Sequence, residues 1–296
     1  MYGRLEHTMS DSTSPDPFSF DATSRRVEAG PYSLHYHDGG SGPVLLMLHG
    51  SGPGVSGWSN FRGNLPVLAQ HFRVLILDQP GFGLSPKPTL DQNYIVIAAD
   101  AVRAFLDTLA IDRVSIVGNS MGGGVATRFT LDHPVRVDKL VLMGPGGVGV
   151  SILSPEPSEG MRLLFAFNQD PTRERMEAWV RSMVSDPKLV TDELLDERMA
   201  NAHRPGVLES IREIFATFAR PEFNRMAPMW SELHRLRTPT LLMWGQDDRV
   251  VPVEQSLLPF RRIPNADLMG FAHCGHWVQI ERKADFERHV ISFVQA

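Results

Sequence analysis

Residues 118–122 read G-N-S-M-G and follow the apolar run 114–117 directly, ahead of a helix-like stretch. In the pattern G-x-S-x-G, the nucleophile elbow, the glycines let a strand turn sharply into a helix, so that the serine hydroxyl is exposed at the end of a sheet. A serine hydroxyl attacks a carbonyl at neutral pH only if a histidine, oriented by an acid, removes its proton. The sequence therefore predicts Ser120 as a nucleophile, in preference to a helix-capping serine.

Two histidines near the end of the chain could act as the base, His273 and His276. His276 follows a glycine in the loop between the last predicted strand and the last predicted helix, and from there its ring can reach Ser120. His273 lies only two residues beyond that strand. Placement favours His276 as the general base and His273 as a structural residue. Cys274 lacks an elbow and is expected to be a small buried residue.

The acid is expected between the serine and the histidine in chain order, and Asp247 and Asp248 follow the strand predicted at 240–245. A carboxylate in this loop can orient the imidazole and stabilise its cation. Either aspartate could do so. We choose Asp248 because the pattern G-x-x-D places it three residues beyond Gly245, whereas the other aspartate fits a solvated turn.

The third requirement of such a site is an oxyanion hole. Residues 49–54, H-G-S-G-P-G, follow the second predicted strand. A loop of this kind can aim a backbone N–H at the elbow, beside the N–H of Met121. A phosphate-binding loop is the competing interpretation, but the Lys-Ser/Thr ending of a P-loop is absent.

The composition narrows the class of protein. The chain has 296 residues, a net charge of −5 and a single cysteine. The acidic balance disfavours nucleic acid as a partner, and one cysteine can form neither an intrachain disulfide nor a Cys/His metal cluster. No apolar run approaches the roughly 18 residues that span a bilayer, and no signal-peptide pattern is present. We therefore expect a cytoplasmic protein without a membrane association or a metal.

Short β-branched and leucine-rich runs alternate with helix-like stretches along most of the chain. This alternation predicts an α/β fold with a mostly parallel sheet that is covered by helices on both faces. Residues 1–24 are polar and without periodicity, so we expect a flexible tail there. The core is expected to comprise 25–146 and 236–296. The predicted strands are 32–37, 44–49, 73–78, 114–118, 139–143, 240–245 and 267–271.

The alternation stops between residues 147 and 235, where helical segments are separated by Pro and Gly. An insertion at this point, over the carboxyl ends of the strands, predicts a helical lid. A helix near 191–203 places Arg198 beside an apolar stripe. Two interpretations are open: the charged end extends to water, or the guanidinium points down at an anionic ligand.

The order Ser120, Asp248, His276, with His49-Gly50 after a strand, resembles the α/β-hydrolase superfamily over nearly the whole chain beyond the tail. A narrower resemblance is to the meta-cleavage product hydrolases, bacterial enzymes that split C–C bonds in ring-opened dienoates formed by extradiol dioxygenases. The stretches that carry it are 51–54 with 58–61, 118–123, 142–147 and 274–277.

The resemblance implies hydrolysis of a 2-hydroxy-6-oxohexa-2,4-dienoate to 2-hydroxypenta-2,4-dienoate and a carboxylic acid, without a cofactor. It also implies a homo-oligomer. The N–H groups of Ser51 and Met121 would form the oxyanion hole, and Arg198 would bind the substrate carboxylate. Three further residues, Asn60, Asn119 and Trp277, match residues that line the dienoate end of the family's site. The alternative roles are turn stabilisation for the two asparagines and core packing for Trp277.

Several questions stay open in the sequence. Attack by Ser120 would give an acyl-enzyme, whereas attack by water would give a gem-diol. The C6 substituent is not defined, although the resemblance leans towards enzymes that act on bicyclic or steroid ring-fission products. A carboxylesterase would use the same triad without needing Arg198, and a receptor could keep the pocket without turnover. Haloalkane dehalogenases and epoxide hydrolases share the fold but carry Asp at the elbow.

Overall fold

The computed structural model describes three ranges of the chain, 16–149, 157–223 and 228–296. Expectations for most of the tail and for two short segments of the lid lie outside the described residues, at 1–15, 150–156 and 224–227. None of the helices in the described ranges combines the length and the apolarity that a membrane span requires.

The described strands form one eight-stranded sheet in the order β1-β2-β4-β3-β5-β6-β7-β8. Strand β2 is antiparallel to both neighbours, and the strands from β3 onward are parallel to one another. All seven predicted strands are present, with ends displaced by a few residues. The strands are β1 (Ser24–Ala29), β2 (Tyr32–Gly40), β3 (Val44–Leu48), β4 (Arg73–Leu77), β5 (Val114–Asn119), β6 (Val137–Met143), β7 (Thr240–Gly245) and β8 (Ala266–Phe271).

Helices connect the strands and cover both faces of the sheet, as predicted. Short 3₁₀ turns lie at 134–136, 187–189, 221–223, 233–235 and 253–256. The α-helices are α1 (Phe20–Thr23), α2 (Gly57–Phe61), α3 (Leu65–Leu68), α4 (Tyr94–Thr108), α5 (Met121–Asp132), α6 (Glu159–Gln169), α7 (Arg173–Ser182), α8 (Asp192–Ala202), α9 (Val207–Ala219), α10 (Met229–Glu232), α11 (Leu257–Arg262), α12 (Val278–Glu281) and α13 (Lys283–Gln295).

Strand β3 shows how the sheet separates two apolar cores. Successive side chains of a strand point to opposite faces. Leu46 and Leu48 pack in the cluster formed with α4 and α5, whereas Leu45 and Met47 pack on the other face with Phe286 of α13. Because both faces are buried, the central strands are continuously apolar, and this is the pattern from which they could be predicted.

The fold begins earlier in the chain than the sequence analysis places it. Helix α1 lies within the predicted tail, and the side chain of Ser19 accepts a hydrogen bond from the N–H of Ala22. The Phe20 ring lies 5.4 Å from that of Trp58, measured between centroids. Strand β1, at the edge of the sheet, was not predicted because half of its residues, in the sequence S-R-R-V-E-A, are charged and exposed.

Helices α6 to α9 lie between β6 and β7, in the segment predicted to be a lid. The side chains of Thr172 and Thr191 begin α7 and α8 by accepting the backbone N–H of the third helical residue. The cluster of these helices contains Trp179 and also Trp277 from the core. Helix α9 contributes Ile211 to the main core as well, so the inserted helices are continuous with the sheet domain.

The turn from β5 into α5 requires glycine because three backbones meet there. A Cβ at Gly122 would lie 2.2 Å from the carbonyl oxygen of Leu48 and 2.5 Å from that of His49. Both contacts are with backbone atoms and cannot be relieved by a rotamer change. The glycine therefore lets α5 begin directly against the end of β3.

The substitution Gly122→Ala is expected to lower the free energy of unfolding by at least about 2 kcal/mol, because backbone must move to admit the methyl group. Gly270→Ala is the control, since a Cβ at Gly270 of β8 meets nothing within 4 Å. Urea unfolding followed by circular dichroism measures both variants. Equal stability of Gly122→Ala and the native protein would contradict this account of the turn.

Candidate active site

Ser120 lies at the junction of β5 and α5 in a conformation that is rare for a residue with a side chain. Its backbone angles are φ 53° and ψ −119°. The turn is held by the N–H of Ser120, which donates to the carbonyl of Met143 at 2.9 Å, and by the N–H of Gly146, which donates to the Ser120 carbonyl at 2.8 Å. A non-glycine residue keeps such strain only where its neighbours impose it, as they do at many functional sites.

His276 and Asp248 form a buried pair. The Nδ1 of His276 lies 2.8 Å from Oδ2 of Asp248, and both side chains are at most 2 % exposed. The other carboxylate oxygen, Oδ1, accepts the N–H groups of Val250 and Val251, each at 2.8 Å. A carboxylate held in this way accepts the Nδ1 proton, which leaves Nε2 of the imidazole free to act as a base.

The rejected candidates lie elsewhere. Asp247 is exposed and accepts a hydrogen bond from the hydroxyl of Ser185 at 2.7 Å. His273 is exposed as well. Cys274 is fully buried, and burial raises the pKa of its thiol well above the ordinary value, so it is not a nucleophile at neutral pH.

His49 anchors the loop that follows β3. Its Nδ1 donates to the carbonyl of Gly50 at 2.6 Å, and its Nε2 accepts the N–H of Gln79 at 3.0 Å. Complete burial lowers the pKa of this imidazole, which stays neutral and can therefore accept at Nε2. In the sequence His49 is recognisable only as part of a motif, and its hydrogen bond with Gln79, two residues after β4, could not be predicted from spacing.

A small polar cavity of about 10 Å³ joins the predicted residues. A Cβ at Gly50 would lie 3.2 Å from Cβ of Ser120, so the loop approaches the elbow closely. Asn119 donates to the carbonyls of Met143 and His276, both at 3.3 Å. The side chains that line the cavity include Ser51, Asn60, Asn119, Ser120, Arg198, His276 and Trp277.

Asn60 is buried in this cavity with its amide unpaired. Neither Oδ1 nor Nδ2 has a hydrogen-bond partner among the described residues. A buried amide without partners costs free energy unless a ligand or a water satisfies it. The arrangement therefore provides a donor and an acceptor for a polar ligand next to Ser120.

Arg198 is a buried cation without a counterion in the described part of the chain. Its side chain is 3 % exposed, its Nε is unpaired, and one Nη donates to the carbonyl of Pro53 at 3.4 Å. The guanidinium lies 5.7 Å from the ring centroid of Trp179 and 5.2 Å from that of Trp277. Burial lowers its pKa to about 10, so it remains charged at neutral pH.

The neighbour of Arg198 in the chain does not neutralise it. Glu197 pairs instead with Arg62, directly after α2, at the surface, with N and O atoms 2.9 Å apart. A buried charge that lacks an opposite charge is costly, and an incoming anion would remove that cost. The geometry therefore favours the ligand-binding interpretation of Arg198 over the one in which its charged end extends to water.

A second cavity of about 840 Å³ opens on the other side of the elbow. Ser51 and Ser120 line both cavities, and Met121 lines the larger one. Most of its other walls are apolar and come from α4, α6, α9 and the loop after β7. Examples are Ile95, Met161, Phe165, Phe215 and Val251.

The sequence and the fold match those of known proteins. Residues 43–283 match the family described as alpha/beta hydrolase fold, and the chain belongs to this family. The chain is 38% identical over 264 residues to a 2-hydroxy-6-oxo-6-phenylhexa-2,4-dienoate hydrolase of Burkholderia cepacia, which covers 89% of this chain and 91% of the relative. It belongs more narrowly to the meta-cleavage product hydrolases.

Two further comparisons agree with this membership. A 2-hydroxy-6-oxononadienedioate/2-hydroxy-6-oxononatrienedioate hydrolase of Paraburkholderia xenovorans is 39% identical over 269 residues, covering 90% of this chain and 91% of the relative. The solved structure of a serine-to-alanine variant of the meta-cleavage product hydrolase CumD from Pseudomonas fluorescens IP01, complexed with acetates, has a TM-score of 0.82. It is 33% identical and covers 92% of this chain and 98% of that chain.

The pairing of Asp248 with His276 predicts unequal effects of the two neighbouring aspartates on the reactivity of Ser120. Asp248→Asn should slow labelling by a fluorophosphonate probe by about 10³-fold or more, because the imidazole loses its orienting acceptor. Asp247→Asn is the matched control and should label at the native rate. The labelling rates are measured by intact-protein mass spectrometry. Equal rates for the two variants would contradict the assignment.

Proposed function

We propose that this protein hydrolyses the C5–C6 bond of a 2-hydroxy-6-oxohexa-2,4-dienoate. The observation that carries the proposal is the buried guanidinium of Arg198, which has no counterion in the described part of the chain and lies in the same small cavity as Ser120 and His276. A simple ester has no carboxylate that could pair with this cation, whereas a dienoate has one. The names of the two relatives, both dienoate or dienedioate hydrolases, support the same reaction.

The proposed binding mode places the substrate across Ser120. The carboxylate at C1 pairs with Arg198, and the oxygen at C2 meets the unpaired amide of Asn60. Trp277 packs beside the guanidinium, and Asn119 fixes the backbone of His276. Because the small cavity measures about 10 Å³, which is room for about one water, it must widen for the dienoate to reach Arg198. The C6 carbonyl then lies at the elbow, and its substituent extends into the larger cavity.

The first proposed step is a proton transfer. Nε2 of His276 takes the proton of the C2 hydroxyl and delivers it to C5, so that the dienol becomes a 2,6-diketone. This transfer turns C5 into a carbon that can leave as a stabilised dienolate, because its electron pair can be delocalised onto the oxygen at C2. The histidine ends the step neutral and ready to act again.

The second proposed step is attack by Ser120 on C6. His276 accepts the hydroxyl proton, and the oxyanion rests on the N–H groups of Ser51 and Met121. The C5–C6 bond then breaks, and the dienolate takes the proton from His276 at its C2 oxygen, giving 2-hydroxypenta-2,4-dienoate. Water activated by His276 hydrolyses the acyl-enzyme and releases the carboxylic acid. We favour the serine route because the strained elbow presents Ser120 directly to the cavity.

The sequence also leads us to propose a cytoplasmic homo-oligomer. Its single cysteine fits a reducing compartment. The homo-oligomer rests on the family resemblance, and size-exclusion chromatography with light scattering tests it.

In the direct test the protein is mixed with the 6-phenyl dienoate formed by ring fission of 2,3-dihydroxybiphenyl. The visible absorbance of the dienoate and the release of benzoate are then measured. A nitrophenyl ester serves as a parallel substrate. We expect bleaching with stoichiometric benzoate, and loss of at least about 10³-fold in Ser120→Ala. Ester hydrolysis with an unchanged dienoate would favour a carboxylesterase, and binding of the dienoate without any turnover would favour a receptor.

The same assay tests the role of Arg198. Truncating one member of a buried charge pair costs about 2–5 kcal/mol, so Arg198→Leu should lower kcat/KM for the dienoate by at least about thirtyfold. Hydrolysis of the uncharged ester should stay within about threefold of native, since it makes no such pair. Arg62→Leu is the control, because Arg62 pairs with Glu197 at the surface. Equal losses on both substrates would contradict the proposed role.

A further inference from the structure

The carboxylate of Glu281, the last residue of α12, binds backbone from two separate segments of the chain. Its Oε1 accepts the N–H of Gly275 at 2.6 Å. Its Oε2 accepts the N–H groups of Ser185 at 2.6 Å and Asp186 at 3.2 Å. Burial raises the pKa of this carboxyl, and the three N–H groups act in the opposite direction by stabilising its charge.

The two segments belong to different parts of the fold. Gly275 lies in the loop after β8, whereas Ser185 and Asp186 follow α7 of the inserted helices. The segments also contact each other, because the N–H of His276 donates to the carbonyl of Met183 at 2.7 Å. A Cβ at Gly275 would lie only 2.6 Å from that carbonyl oxygen. Glu281 therefore holds the inserted helices against the loop that carries the catalytic base.

Both segments lead directly to the reacting groups. His276 follows Gly275 in the chain, and Met183 lines the small polar cavity together with Ser120 and His276. Glu281 lines neither that cavity nor the larger one, so it can act on the reaction only through the backbone that it binds. A displacement of about 1 Å in a catalytic group can cost about 10²-fold in rate.

The arrangement requires a carboxylate and not an amide. Three N–H groups need acceptors on both oxygens of the side chain. A glutamine at this position has one acceptor oxygen, and its NH₂ group would face an N–H that can only donate. One of the two segments would then lose its partner, and the contact between them would loosen.

We propose that Glu281 is a positioning residue for the hydrolytic reaction. Its carboxylate binds the backbone before His276 and the backbone after α7 at the same time, and this fixes the imidazole relative to Ser120. The inference rests on the proposed function for its effect on the dienoate. The effect on the reactivity of Ser120 does not depend on which substrate the protein cleaves.

The first test measures labelling of Ser120 by a fluorophosphonate probe in Glu281→Gln. We expect labelling to slow by at least about tenfold, because the imidazole is no longer held in place. The matched control is Asp38→Asn, which changes a partly buried carboxylate that accepts two N–H groups of Arg73 at the start of β4, at the opposite edge of the sheet. This control should label within about twofold of native. Native labelling by a folded Glu281→Gln, or equal losses in both variants, would overturn the proposal.

The second test separates positioning from a loss of binding. With the 6-phenyl dienoate, Glu281→Gln should lower kcat by at least about tenfold and leave KM within about threefold, since Arg198 and Asn60 are unchanged. A loss confined to KM would overturn the proposal. If the native protein cleaves no dienoate, the proposed function fails, whereas the labelling test still decides the role of Glu281.

A second variant applies if Glu281→Gln does not fold, as judged by circular dichroism. Glu281→Asp keeps the charge but shortens the side chain by one methylene, so it cannot reach both segments. Labelling of Ser120 in this variant should slow by at least about fivefold. Labelling at the native rate would overturn the proposal.

Discussion

A guanidinium that is buried without a counterion among the described residues organises the site. Arg198 is 3 % exposed, and its neighbour on the same helix, Glu197, forms an ion pair with Arg62 at the surface instead. The cation lies beside the indole rings of Trp179 and Trp277. The Trp179 ring also lies so close to Gly52 that a Cβ added there would be 2.2 Å from a ring carbon. The inserted helices thus approach the loop after β3 at a glycine, and the electrostatic cost of the cation is left for a ligand to remove.

The sheet domain supplies the reacting groups at the point where the two cavities meet. Ser120 lines both, His276 lines the smaller one from the loop after β8, and Asp248 from the loop after β7 pairs with the His276 imidazole. These loops all leave the carboxyl ends of parallel strands, where α/β folds bind their ligands. A polar cavity with a cation on one side and an apolar cavity on the other defines which end of a substrate faces which way. In the proposed binding mode the bond to be broken therefore lies beside Ser120.

Local patterns could be read from the sequence, whereas pairings between distant segments could not. The elbow, the order of the triad and the choice of Asp248 over Asp247 follow from short motifs with strong backbone requirements. Spacing alone left two interpretations of Arg198, since nothing local says whether a carboxylate faces it. Arg128 illustrates the limit: Asp132 is four residues away on α5, but Glu232 is brought to it only by the fold. Edge strand β1 was missed because half of its residues are charged and exposed, as they would be in a tail.

The central claim is the orientation of the dienoate across Ser120, and a crystal structure of Ser120→Ala with the 6-phenyl dienoate tests it most directly. We predict that the C1 carboxylate lies within hydrogen-bond distance of Arg198. The C6 carbonyl oxygen should accept the N–H groups of Ser51 and Met121, and the phenyl ring should lie in the larger cavity. A reversed ligand, with its ring beside Arg198 and its carboxylate among the apolar walls, would contradict the account.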